Sequence, residues 1–196
     1  MTRPSLGPPP SSLDGFPKST PRRALVRVCR RANGTWWFSS DGSGRFDLDP
    51  PQGTCYFATD AFAALREASR TGPVSPGWIA DRELRHVDPP DPKARLAAVT
   101  RTKAAAFGLT TELATITPYE LPRAWAAAFR QAGFAGIRHE LRHDPRARPS
   151  GLSLFGPSGD ARWPGDRRQS IHRADLDAAG VPVIDIPPSA AVTILP

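Results

Sequence analysis

The chain is predicted to fold as an α+β domain with mixed or antiparallel sheets and flanking helices. Three observations point there: short strand patterns stand before and after a helical middle, prolines and glycines gather in connections, and 39% of the 196 residues are apolar. That length and apolar share suit one globular core. The 23 prolines and 16 glycines show no internal period, so a loop-rich fold is expected and a fibrous chain is not. Strands before and after helices, without strict alternation, argue against a doubly wound parallel sheet.

Residues 1–21, rich in Pro, Ser and Gly, carry few large apolar side chains and are expected to be a flexible arm; residues 22–196 are expected to form the single domain. The first strand is "ALVRVCRR", a short β-branched run. "GTWWFSS" is the second, closed by the turn-rich "SDGSG". "GTCYFAT" reads as a strand with Tyr56 and Ala58 on one face and Cys55 and Phe57 on the other. A helix should follow at once, with Asp60 as its N-cap and Ala61, Leu65 and Ala68 as its apolar stripe. A strand is expected around Leu84 to Val87, then a helix in "PKARLAAVTRTKAAAFGL" closed by Gly108. The clearest helix opens at Thr117-Pro118-Tyr119-Glu120, which has the form of a capping box, and repeats Leu121, Trp125, Phe129 and Ala132 on one side. "FAGIRHEL", "GLSLFG" and "VPVIDIPP" are the late strands.

Twenty-six basic against nineteen acidic residues leave a net charge of +7, which suits an anionic partner. The arginine doublets are spread along the chain and read as solvated surface. Direct nucleic-acid binding is disfavoured, because the basic charge is not gathered in one segment and Trp36-Trp37, the candidate stacking pair, lies in an apolar strand. No stretch approaches the ~18 apolar residues of a membrane span, and the beginning of the sequence lacks a signal-peptide core, so a soluble cytoplasmic protein is expected. Cys29 and Cys55 are expected to be reduced core thiols, and the four scattered histidines and two cysteines form no metal-ligand pattern.

Arg45, Tyr56 and Glu67 fall eleven residues apart in a segment otherwise small, apolar or turn-forming. A guanidinium can hold phosphate bidentately, a phenol ring can stack on a heterocycle, and a carboxylate can stabilise positive charge developing on a sugar, so the three together suit a nucleotide glycoside. Periodicity alone does not assign them that work. A solvated glutamate, a half-buried strand tyrosine and a turn arginine would give the same pattern.

The stretches Gly44-Arg45-Phe46-Asp47, Gly53-Thr54-Cys55-Tyr56-Phe57-Ala58 and Ala63-Ala64-Leu65-Arg66-Glu67 resemble the RES domain family. "LVRV" around Arg27, "AWAAAFRQAGFAGIRH" and "GLSLFG" fit it in the same order, over roughly residues 24 to 160. The resemblance implies an ADP-ribosyltransferase-like fold and a bacterial toxin of a toxin–antitoxin pair that cleaves the nicotinamide–ribose bond of NAD. It further implies that Arg27 and Arg45 hold the NAD diphosphate and adjacent ribose, that Tyr56 packs on the nicotinamide, and that Glu67 stabilises the ribosyl cation. The expected partner is an Xre-like helix-turn-helix antitoxin, and the acceptor of ADP-ribose is water, phosphate or a protein. The family reads Gly-Ile-Arg-Tyr-x-Ser-Arg where this chain has Gly136-Ile137-Arg138-His139-Glu140-Leu141-Arg142, so Leu141 replaces the family serine and His139 its tyrosine. A catalytically impaired nucleotide- or protein-binding module is therefore the alternative to the enzyme. Ser153 is a candidate to substitute for the lost hydroxyl.

Overall fold

The computed structural model describes residues 5–21, 24–148, 150–163 and 165–185. Its centre is an eight-stranded sheet whose middle is the antiparallel set β7 (Gly136–His139), β8 (Gly151–Pro157), β4 (Gln52–Ala58), β2 (Leu25–Arg30) and β5 (Arg82–Val87). Beyond β7 the sheet continues through β6 (Leu96–Ala98), which pairs parallel, to β1 (Lys18–Ser19); beyond β5 it ends in β10 (Asp166–Ser170). A separate pair, β3 (Trp37–Phe38) and β9 (Gly159–Asp160), folds against one face. The α+β expectation holds, with helices flanking a largely antiparallel sheet.

Alternation along the central strands divides the core between the two faces. Leu25, Cys55, Phe57, Leu152 and Leu154 join Trp36 and Phe38 on the face covered by β3. On the other face, Val26, Ala58 and Leu84 meet Ala64 and Leu65 of α1 (Ala61–Ser69) and Leu176 of α4 (Arg173–Ala178). Further along that face, Ile137 packs under Trp125 and Phe129 of α3 (Glu120–Gln131). Gly53 is required where β3 crosses β4, since a Cβ there would lie 2.8 Å from the Phe38 carbonyl oxygen.

Five sequence expectations change. Residues 5–20 are not a free arm: Leu6, Leu13 and Phe16 are buried under α3, the Trp125 indole donates to the Gly7 carbonyl at 2.9 Å, and β1 covers the edge of β6. Three apolar side chains in a Pro-rich stretch suffice when a groove between aromatic residues already exists. The alanine-rich stretch after Asp91 makes strand β6 and then a 3-10 turn over Thr102–Phe107, with Gly108 closing it at φ 83°; sheet pairing overrides helix propensity over Leu96–Ala98. The capping box at Thr117 is absent, because α3 begins three residues later and Tyr119 at its N-cap makes no side-chain capping bond. In α1 the buried residues are Ala63, Ala64 and Leu65, whereas Ala68 is exposed. Within "VPVIDIPP", Val183 forms one bridge to Val74, and residues 186–188 lie outside the described residues. The short helix α2 (Pro76–Asp81), with Ser75 accepting from the Trp78 N–H, connects α1 to β5.

Candidate functional site

Strands β2 and β4 diverge so far that a single register pair, Val26 with Ala58, joins them. A cleft of about 590 Å³ opens there, bounded by the Ser43–Phe46 turn, α1, Tyr119 and the 139–143 segment after β7. Arg27, Arg45, Tyr56 and Glu67 all border it, as do Leu141 and His139.

Tyr56 is fixed by a carboxylate that the sequence reading did not single out. Its hydroxyl donates to Asp47 Oδ1 at 2.7 Å and accepts from the Phe46 N–H at 2.9 Å. The buried Asp47 also accepts from the Gly44 N–H and the Ser39 hydroxyl, each at 2.9 Å, so one carboxylate knots the Gly44–Asp47 turn onto β4. Gly44 is needed in that knot, because a Cβ would run into both the Asp47 carboxylate and the Tyr56 hydroxyl. Burial first, and the Asp47 charge second, push the Tyr56 phenol well above its ordinary value. Its hydroxyl therefore stays neutral and engaged, and the ring is what it offers to a ligand.

Arg45 points into the cleft from the same turn. It donates to the Ile116 carbonyl at 2.7 Å, and its guanidinium lies 4.6 Å from the centre of the Tyr119 ring. Burial lowers its pKa, and the Arg142 charge adds to that effect, while Tyr119, Glu67 and Tyr56 oppose it.

Glu67 lies near the end of α1. That helix starts where Asp60 accepts from the Ala63 N–H at 3.0 Å and ends at Arg70 in the left-handed conformation. Burial raises the Asp60 carboxyl, but the Ala63 N–H and Arg146 outweigh it and hold the group below its ordinary value. Glu67 Oε2 accepts from the His143 N–H at 3.3 Å, and the neighbouring Arg66 donates to the His143 carbonyl at 2.8 Å. Two consecutive helix residues thus hold His143 by both its N–H and its carbonyl and set the 139–143 segment against α1.

Arg27 is placed differently from the other three. Its Nη1 donates to the Thr35 carbonyl and the Cys55 thiol at 2.7 Å each, partners that belong to the face covered by β3. The guanidinium also lies 5.5 Å from the Phe57 ring on that face. Arg27 thus borders the cleft while its charged head is engaged across the strand gap. Both cysteines are reduced and buried, and burial pushes the Cys55 thiol up to about 11.

Leu141, 8% exposed, packs among the apolar residues beneath α1, so this part of the wall has no hydroxyl. His139 donates from Nδ1 to the Glu140 carbonyl at 2.8 Å, which leaves Nε2 to accept from the Ser153 hydroxyl at 2.9 Å. Burial lowers its pKa to about 4, so it is neutral in the fold. Ser153 is fully buried and bonded to His139 behind the wall, so its hydroxyl does not reach the cleft where Leu141 stands. Besides Asp47, the sequence reading missed Tyr119, whose apparent capping role concealed its stacking on Arg45, and the backbone of His143, which carries no sequence signal.

The RES domain model matches residues 23–165. No curated protein matches the chain. Among solved structures, the chain is similar to one in "Crystal structure of the M. tuberculosis MbcT-MbcA toxin-antitoxin complex", with a TM-score of 0.58 and 15% identity over 73% of this chain and 79% of the other. At that identity the likeness speaks for the fold.

Proposed function

The chain belongs to the RES domain family, and from that membership and the cleft we propose that it cleaves NAD at the nicotinamide–ribose bond and transfers ADP-ribose to water, phosphate or a protein. The observation that carries the reading is the convergence on one cleft of a carboxylate held in place by the segment opposite it, a tyrosine ring fixed through its hydroxyl, and a pre-oriented guanidinium. The bond between C1′ and the nicotinamide nitrogen breaks with its electron pair leaving on nicotinamide, which departs neutral. The positive charge passes to the ribose ring, where Glu67 stabilises it more in the transition state than in the ground state. The acceptor then adds to C1′ and gives up its proton. Arg45 holds the diphosphate, and the Tyr56 ring packs on the nicotinamide. The similar solved structure is a toxin–antitoxin complex, and we take the partner of this chain to be an Xre-like helix-turn-helix antitoxin that covers the cleft. Among the described residues no helix is long and apolar enough to cross a membrane.

The buried Leu141 at the family serine position favours a second reading, a RES-like module that binds a nucleotide or a protein without turnover. Incubating the chain with NAD, with and without phosphate, and following nicotinamide by chromatography separates the two. The enzyme reading expects release, faster in Leu141→Ser if the restored hydroxyl reaches the cleft. No release from either chain would leave the binding module in its place.

A further inference from the structure

We propose that Arg142, together with Arg45, grips the diphosphate of the substrate, and that Arg27 is a structural arginine of the opposite sheet face. The inference rests on the NAD reading above and changes which residues recognise the dinucleotide.

The engagement of Arg27 is the first reason. In register it stands directly across from Arg85, which in turn faces Arg168, so the three arginines form a row across β2, β5 and β10. Within this row Arg85 is paired with Glu83 and Asp166, and Arg27 donates to Thr35 and Cys55. Turning Arg27 toward a phosphate would abandon those partners inside a buried layer, where an unmade hydrogen bond is expensive.

Arg142 is in the opposite condition. It borders the cleft, it is exposed, and among the described residues it makes no hydrogen bond or ion pair. Its backbone is nevertheless held, because Leu141 on one side is buried and His143 on the other is gripped by Arg66 and Glu67. The charge of Arg142 reaches Arg45 and disfavours the protonated form there, partly offset by Glu67, and neither guanidinium makes an ion pair among the described residues. Arg70 adds a third at the end of α1, against the two carboxylates Glu67 and Glu140. A diphosphate relieves that repulsion, and its oxygens match the planar fork of each guanidinium.

ADP-ribose, which carries the diphosphate and lacks the scissile bond, is the probe. Titrating it calorimetrically into the full chain at two salt concentrations should show Arg142→Ala weakening binding by about 10- to 100-fold, with a flatter salt dependence, as expected for the loss of one charge-assisted contact. Arg142→Lys should recover part of the affinity, since lysine restores the charge without the fork. Arg101→Ala, at an exposed position outside the cleft, controls for the loss of one positive charge and should bind as the wild type does. Wild-type affinity in Arg142→Ala, with ADP-ribose still bound and nicotinamide still released by the wild type, overturns the role of Arg142 and leaves the NAD reading standing. A wild-type chain that neither binds ADP-ribose nor releases nicotinamide overturns both.

Discussion

The two faces of the sheet where β2 and β4 part use the same residue type for opposite purposes. On the face under β3, Arg27 and Arg85 are engaged by protein partners: Arg85 lies between Glu83 and Asp166 with its side chain 3% exposed, and Arg27 donates from Nη1 to a carbonyl and a thiol, while the Nε of each is buried without a partner among the described residues. In the cleft, Arg45 rests on one ring and two carbonyls without an ion pair, and Arg142 makes no hydrogen bond or ion pair among the described residues. An arginine in a basic chain therefore reveals its role through its partners. Where carboxylates meet it, as at Arg85, it holds strands together; where it borders the cleft without an ion pair or a hydrogen bond, as at Arg142, it is open to an anion.

The largest effect belongs to the face under β3. Arg85→Met leaves Glu83 and Asp166 without their shared cation, and removing one member of a buried ionic group costs about 3–5 kcal/mol. The denaturant midpoint should fall accordingly, while nicotinamide release per folded molecule should not change. Lost turnover at undiminished stability would reverse the roles of the two faces.

His139 sharpens the boundary, since it borders the cleft yet is buried and neutral. Its folded pKa of about 4 lies below the ordinary 6.5, so the unfolded chain takes up a proton over that interval that the folded chain refuses. Its contribution is complete above pH 6.5 and is lost as pH falls toward 4, by up to about 3 kcal/mol. Equilibrium unfolding between pH 4 and 7 should show this slope in the wild type and lose it in His139→Gln. Equal slopes in the two chains would mean that His139 is protonated in the fold and belongs to the reactive side.

Next in size is Glu67→Gln, which should slow nicotinamide release by ~10²-fold, the scale for removing one preorganised partner of a transition state, with ADP-ribose affinity retained. Affinity lost in parallel with rate would make Glu67 a binding residue. Smallest is Arg45→Ala. The Michaelis constant for NAD should rise by about 10-fold before turnover suffers, because the diphosphate is held alike in ground and transition states.

How much of this was legible depends on how local the cause is. The strand, turn and helix of residues 52–69 were readable because alternation, the Asp60 cap and the helical apolar residues lie within eighteen positions. Tyr56 and Glu67 lie in that unit and Arg45 shortly before it; their joint role comes from the resemblance to the RES domain family and not from the local pattern, and the structure brings the three to one cleft. β10 was not readable: "DRRQS" is an edge strand without apolar alternation, and only β5 beside it makes it a strand. β6 was hidden by alanine, which favours helix until a parallel neighbour claims it. The engagement of Arg27 was also invisible, since its partners at Thr35 and Cys55 lie on two other segments, and nothing in "LVRV" tells which way its guanidinium turns.

The packing of residues 5–20 has a consequence for the order in which the molecule can be made. During synthesis this segment leaves the ribosome ahead of every residue it will rest on: Glu112, which accepts from the Leu6 N–H, Trp125, which donates to Gly7, and Phe129 and Phe134, which enclose Phe16. At typical elongation rates of about 5–20 residues per second, Leu6 waits roughly 5–20 s for residues more than a hundred positions downstream. Until then Leu6, Leu13 and Phe16 are open to chaperones on the nascent chain, and strand β1 can join its sheet only after β6 and the helix over it have been translated.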